Sequence, residues 1–139
     1  MQPRVEKLNL MIAYGAERPW SFSLARSLAS LPVDLHRSRT DSEAVAMAAT
    51  GRMHVAVVDD SLSGSGGLDF VRRVRQMGIA LPSLLVCDRA DSRFLQDALS
   101  LDVFSVVQPS YAPDLLASMV LKAVRRVYRL DWSLGGMMN

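Results

Sequence analysis

The sequence predicts an α/β domain in which a five-stranded parallel sheet is covered by helices on both faces. Three observations carry this. Short apolar runs alternate with longer amphipathic stretches five times along the 139 residues. The run His54-Val55-Ala56-Val57-Val58-Asp59 is apolar at successive positions until it meets acid, the pattern of a central strand buried on both faces. Each strand is followed by enough chain for a helical crossover, and right-handed crossovers of this kind build a parallel three-layer sandwich.

The elements follow in order. Leu8–Tyr14 reads as the first strand, and Pro19–Ala29 as a helix with proline in its first turn. Val33–Arg37 alternates like a half-buried edge strand. Thr40-Asp41-Ser42-Glu43 has capping-box spacing ahead of the helix Ala44–Ala49, which Gly51 closes. After the strand ending at Asp59, the Ser/Gly loop Ser61–Gly67 leads into a helix marked by Leu68, Val71, Val74 and Arg75 and stopped at Gly78. Pro82 introduces the strand Ser83–Cys87. Asp91 or Ser92 caps a helix to Leu101, Phe104–Gln108 is the fifth strand, and Pro113 opens a helix to about Leu130. Residues 1–131 form one domain on this reading, and 132–139 are a flexible tail or the start of a linker.

Composition removes several classes of function. The one cysteine, Cys87, forms no internal disulfide, and two histidines, His36 and His54, make no zinc pattern. The phosphate-loop, dinucleotide, zinc-protease and nucleophile-elbow motifs are absent, which argues for binding or signalling over enzyme chemistry. No apolar run approaches the roughly 18 residues of a membrane span, and the opening MQPRVEKLNL lacks a signal-peptide build, so a cytoplasmic location is expected. The net charge of +2 arises in the last helix-like segment: residues 1–112 carry twelve acids and twelve bases, while Lys122, Arg125, Arg126 and Arg129 face only Asp114 and Asp131 thereafter.

In open parallel sheets, functional groups gather beyond the carboxyl ends of the strands, which directs attention to Tyr14–Glu17, Asp59–Ser61, Cys87–Asp88 and Gln108–Pro109. Asp59 ends the buried third strand, with Gly64 five residues on and Gly67 eight on. This segment resembles the phosphoacceptor segment of response-regulator receiver domains, and the resemblance extends from about Leu8 to Leu130 through strand spacing and the positions of Pro82 and Pro109. It implies the flavodoxin-like (CheY-like) sandwich, with Asp59 taking a phosphoryl group from a histidine kinase or phosphotransfer protein in a bacterial two-component or phosphorelay pathway. Asp60 is the rival acceptor, but it would place Ser65 and Leu68 where the glycines belong.

Around Asp59 the sequence departs from that family. Tyr14 and Gly15 stand at the metal-binding acid pair, Cys87 at the hydroxyl position, Gln108 at the lysine, Ser105 at the switch aromatic and Ser63 at the proline. Mg2+ prefers an octahedral oxygen shell. It would be held weakly here, by Asp59 and the Ser61 backbone carbonyl with help from Asp60 or Glu17. The phosphoryl contacts would fall to Cys87 and the uncharged Gln108, with Arg18 or Arg89 as compensating cations. The alternative expectation is a phosphorylation-independent pseudo-receiver acting as a protein-interaction and dimerisation module.

The family resemblance also implies a signalling face built from the fourth helix, fifth strand and fifth helix, where Lys122, Arg125, Arg126 and Arg129 would pair with acids such as Asp97 and Asp102 in a homodimer. The run Val124–Trp132 reads like a helix continuing toward an output domain. One basic stripe does not make a recognition helix, so nucleic-acid binding by this domain is not expected.

Overall fold

The computed structural model describes residues 2–16, 18–64, 66–109 and 113–132. In chain order its elements are β1 (Arg4–Val5), β2 (Leu8–Ala13), α1 (Pro19–Ser27), β3 (Val33–Ser38), α2 (Asp41–Ala49), β4 (Val55–Asp59), α3 (Gly66–Gln76), β5 (Ser83–Val86), α4 (Ser92–Ser100), β6 (Ser105–Val107), α5 (Pro113–Arg125) and β7 (Arg129–Leu130). The main sheet is entirely parallel with strand order β3-β2-β4-β5-β6. The chain leaves β2 to one side for β3, then crosses back for β4. The reversal opens a crevice beyond the carboxyl ends of β2 and β4.

Residue alternation divides the core. Leu8, Leu10, Ile12, Val55, Val57, Leu84 and Val86 face α1 and α5, whereas Met11, Ala13, Ala56, Val58 and Leu85 face α2, α3 and α4. Val55–Val58 have no exposed surface, because β4 has strands on both edges and helices on both faces. Each such valine contributes about 1.5–3 kcal/mol relative to an exposed position. Gly67 lets α3 close on the sheet, since a Cβ there would lie 3.1 Å from Val58 Cγ1 and 3.3 Å from the Asp59 carbonyl oxygen.

Local signals act as their chemistry dictates. Thr40 Oγ1 accepts from the Glu43 N–H at 3.2 Å, while the Glu43 carboxylate accepts from the Arg39 N–H at 2.8 Å. Asp91 is the cap of α4, accepting from the Phe94 N–H at 2.8 Å.

The last helix is shorter than its periodicity predicts. It ends at Arg125 instead of continuing to about Leu130. Gln2 Nε2 donates to the carbonyl of Arg126 at 3.1 Å and to that of Arg125, the Arg129 N–H donates to the Pro3 carbonyl, and β7 pairs parallel with β1. An N-terminal segment too short to show periodicity therefore captures the chain that would have continued the helix. As a result Val127 is exposed, and Arg129 lies on a strand. Trp132, placed by the sequence at the start of the tail, packs against the core, and its carbonyl accepts from Arg125 Nη2. Residues 133–139, the rest of the expected tail, lie outside the described residues.

Both histidines converge at the opposite end of the sheet from Asp59. His54 Nδ1 accepts from the Asn9 N–H at 2.8 Å, its ring meets Tyr128 edge-on at 5.0 Å, and His36 Nε2 lies 3.2 Å from Asn9 Oδ1. Burial lowers the pKa of His54. A protonated Nδ1 could no longer accept. The unfolded imidazole therefore binds a proton more readily than the folded one, and this contribution to stability is complete above about pH 6.5 and is lost as the pH falls below it. Urea unfolding midpoints should accordingly drop between about pH 8 and about pH 5.5, and His54→Gln should flatten that dependence.

Candidate functional site

Asp59 ends β4 in the crevice, but only 2% of its surface is exposed. A carboxylate so buried needs its charge answered by neighbouring donors. Trp20 Nε1 donates to Oδ2 at 2.7 Å and the Ser61 N–H donates to Oδ1 at 2.8 Å. Arg18 Nε stands 3.5 Å from Oδ2, an ion-pair contact, and Arg18 Nη1 donates to Asp88 Oδ2 at 2.6 Å. The Asp88 hydrogen bond foremost, with the charge of Asp59 behind it, raises the Arg18 pKa against an opposing desolvation.

This arrangement follows from the start of α1. Arg18 is its N-cap residue, makes no side-chain capping bond and precedes Pro19, so its side chain is available to turn toward β4 and β5. Trp20, one residue into the helix turn, is buried against Tyr14, their rings edge-to-face at 6.2 Å. A buried indole N–H seeks an acceptor. Asp59 is that acceptor, a pairing that links α1 to the sheet.

The two positions corresponding to the receiver acid pair are filled differently. Tyr14 is buried, and Arg39 lies 5.1 Å above its ring while donating through Nη2 to the Gly15 carbonyl at 2.9 Å. Gly15 is pressed against the loop after β4: a Cβ at this position would lie 2.0 Å from the Ser61 carbonyl oxygen. That loop is pinned from its other side, where Ser63 bridges Thr40 and its carbonyl accepts from the Asp41 N–H. The Ser61 carbonyl, the expected backbone metal ligand, thus occupies the space an acidic side chain would need.

Asp60, the other expected metal ligand, turns to α3. It accepts from the Gly67 N–H, an offsetting influence on a carboxyl that desolvation first and the charge of Asp59 second push upward in pKa. Glu17 lies outside the described residues. Among the described residues no group of three or more His, Cys, Asp or Glu side chains is placed to hold a metal ion. With one carboxylate engaged by an indole and an arginine and the carbonyl packed against a glycine, the residues present do not fit Mg2+.

The remaining expected positions also lack the chemistry of phosphoryl binding. Cys87 is buried at the end of β5, and its thiol pKa is raised, chiefly by burial and further by Asp60, Asp88 and Asp59, against a lowering contact from the Arg89 N–H. The thiol is therefore held protonated. Gln108 is exposed beside a cavity of about 150 Å³ that also contacts Trp20, Val86 and Leu116. Ser105 is half-buried at the start of β6, and the neighbouring Phe104 is held under Arg126, 5.5 Å from the guanidinium carbon. Arg89 is exposed, whereas Arg18 reaches Asp59. Sequence reasoning missed Trp20 and Arg39. The available signal was a tryptophan one helical step after a proline, with an N–H that burial would oblige to find a partner.

Two variants test this geometry. Gly15→Asp, which restores an acid on paper, should destabilise the domain by about 1–3 kcal/mol through overpacking and produce no gain in Mg2+ affinity by calorimetry. Trp20→Phe should cost about 1.5–3 kcal/mol in urea unfolding by withdrawing a donor from a buried charge.

No protein-family model matches the sequence, and no curated relative is found for it. Solved structures do match. The CheY-like response-regulator receiver domain from Methanospirillum hungatei superposes with a TM-score of 0.77 at 12% identity, covering 86% of this chain and 95% of that one. A DNA-binding response regulator of the LuxR family from Staphylococcus aureus gives 0.75 at 14%, covering 84% and 98%, and the receiver domain of a modulated diguanylate cyclase from Desulfovibrio desulfuricans gives 0.73 at 24%, covering 86% and 95%. The fold is that of response-regulator receiver domains, a flavodoxin-like α/β sandwich.

Proposed function

We propose that this chain is a receiver-fold signalling module that works without phosphorylation, binding partner proteins through its surface while Asp59 serves as a structural anion. The burial of Asp59 beneath Trp20, with both its oxygens engaged and Arg18 at its side, is the observation that carries this reading. A phosphoacceptor must present an oxygen to an incoming donor and have the growing charge answered by a cation it can share. Here Arg18 is already shared with Asp88, and no lysine occupies the Gln108 position.

Among the structural neighbours the fold occurs in a DNA-binding response regulator and in a modulated diguanylate cyclase, which supports a role beside an output domain or partner protein. Among the described residues no helix is long and apolar enough to cross a membrane. The surface formed by α4, β6 and α5 is the favoured contact face. Leu95 and Leu99 on α4 are 42% and 76% exposed, and Lys122 and Arg125 on α5 are exposed together with Arg126 in the turn that follows it. A two-fold pairing would set the acids Asp97 and Asp102 of one copy near the α5 cations of the other.

Incubation with acetyl phosphate and Mg2+, followed by intact mass, should leave the protein unmodified, as it should leave an Asp59→Asn control. Rapid Mg2+-dependent addition of a phosphoryl group lost in that control would instead establish Asp59 as a phosphoacceptor and overturn this reading. For the contact face, Lys122→Glu with Arg126→Glu should shift sedimentation toward monomer; Arg125 is left intact because its guanidinium holds the Trp132 carbonyl.

A further inference from the structure

A second cavity lies far from Asp59, at the amino-terminal ends of β5 and β6. It is a groove of about 610 Å³ enclosed by the ends of α3 and α4 and by α5. Its size falls within the roughly 300–1,000 Å³ of small-molecule sites. Ile79, Leu81, Pro82, Phe104, Ala123 and Val127 provide apolar walls.

The groove is preformed. Arg75 spans its base, donating through Nε to the Leu101 carbonyl at 2.9 Å, through Nη1 to that of Leu81 at 3.3 Å and through Nη2 to that of Asp102 at 3.2 Å. One side chain thus ties the loop before β5 to the loop before β6. Both bordering helices end in left-handed residues, Gly78 at φ 75° and Asp102 at φ 56°, which turn the chain back toward the groove.

Its polar groups are unequally available. Arg75 is spent on three carbonyls, and the Ser100 hydroxyl donates to the Asp97 carbonyl at 2.7 Å. Arg126 lies against the Phe104 ring and has no acid partner among the described residues. The one carboxylate on the lining, Asp102, opposes a second anionic group. These features specify an apolar body with a single negative end.

We propose that this groove binds a small amphipathic monoanion, its carboxylate or equivalent head on the Arg126 guanidinium and its apolar body along Ile79, Leu81, Phe104 and Val127. The site lies on different residues from those that decide the reading of Asp59, so either can fail without the other.

Decanoate is the probe, with decanol as its uncharged counterpart, and methyl resonances of the intact chain are the readout. Decanoate should cause saturable shifts confined to Ile79, Leu81, Ala123 and Val127. Arg126→Gln should weaken decanoate at least about tenfold and leave decanol unchanged, and Val127→Asp, at an exposed position that does not threaten folding, should weaken both. Equal affinity for the two probes, insensitivity of decanoate to Arg126→Gln, shifts spread to Leu95 and Leu99 on α4, or no saturation would each overturn the proposal.

Discussion

A carboxylate that has lost nearly all contact with water must be answered from within, and around Asp59 that requirement organises one end of the molecule. The ordinary solution in a solvent-open crevice is a cation that comes and goes. Here the donors belong to the chain: an indole N–H from α1, a backbone N–H from the following loop, and a guanidinium shared with Asp88. Because Trp20 and Arg18 flank Pro19 at the start of α1, burial of the charge also sets where that helix meets the sheet. Loss of one donor would leave a charge stranded in a poorly solvated place, a situation that costs far more than an exposed ion pair contributes.

The same constraint closes the crevice. With Trp20 covering Asp59 from one side, the loop after β4 settles on Gly15 from the other, and its Ser63 end is tied to the start of α2. Arg39 completes the closure over Tyr14 and Gly15. The missing metal acids are thus one aspect of a repacked site. An acid restored at position 15 would meet backbone, which cannot step aside as the end of a flexible side chain can.

The opposite end of the sheet is built on other terms. There Gln2 and β1 hold the chain leaving α5, His54 and His36 meet through Asn9, and Arg75 knits two loops around an open groove. One end is sealed around a buried anion, and the other keeps a preformed cavity beside Arg126, which has no acid partner among the described residues.

The parallel sandwich was legible from the sequence because its cause is repetitive: burial on both faces leaves continuous apolar runs, amphipathic helices keep their period, and Thr40 and Asp91 cap the helices they precede. Asp59 at the end of β4 and the absence of the acid pair, hydroxyl and lysine were equally readable, since each concerns one residue at one spacing. Only the tertiary structure decided what replaced them. Trp20, Arg39 and Gly15 act on Asp59 and its loop through contacts between segments distant in sequence, and no local period encodes which indole will meet which carboxylate. The early end of α5 has the same origin. Val124 and Val127 kept helical spacing, but Gln2 and Pro3, more than 120 residues away, offered the backbone better partners. Sequence patterns report what a segment requires of an average environment; the specific partner is settled when the chain folds.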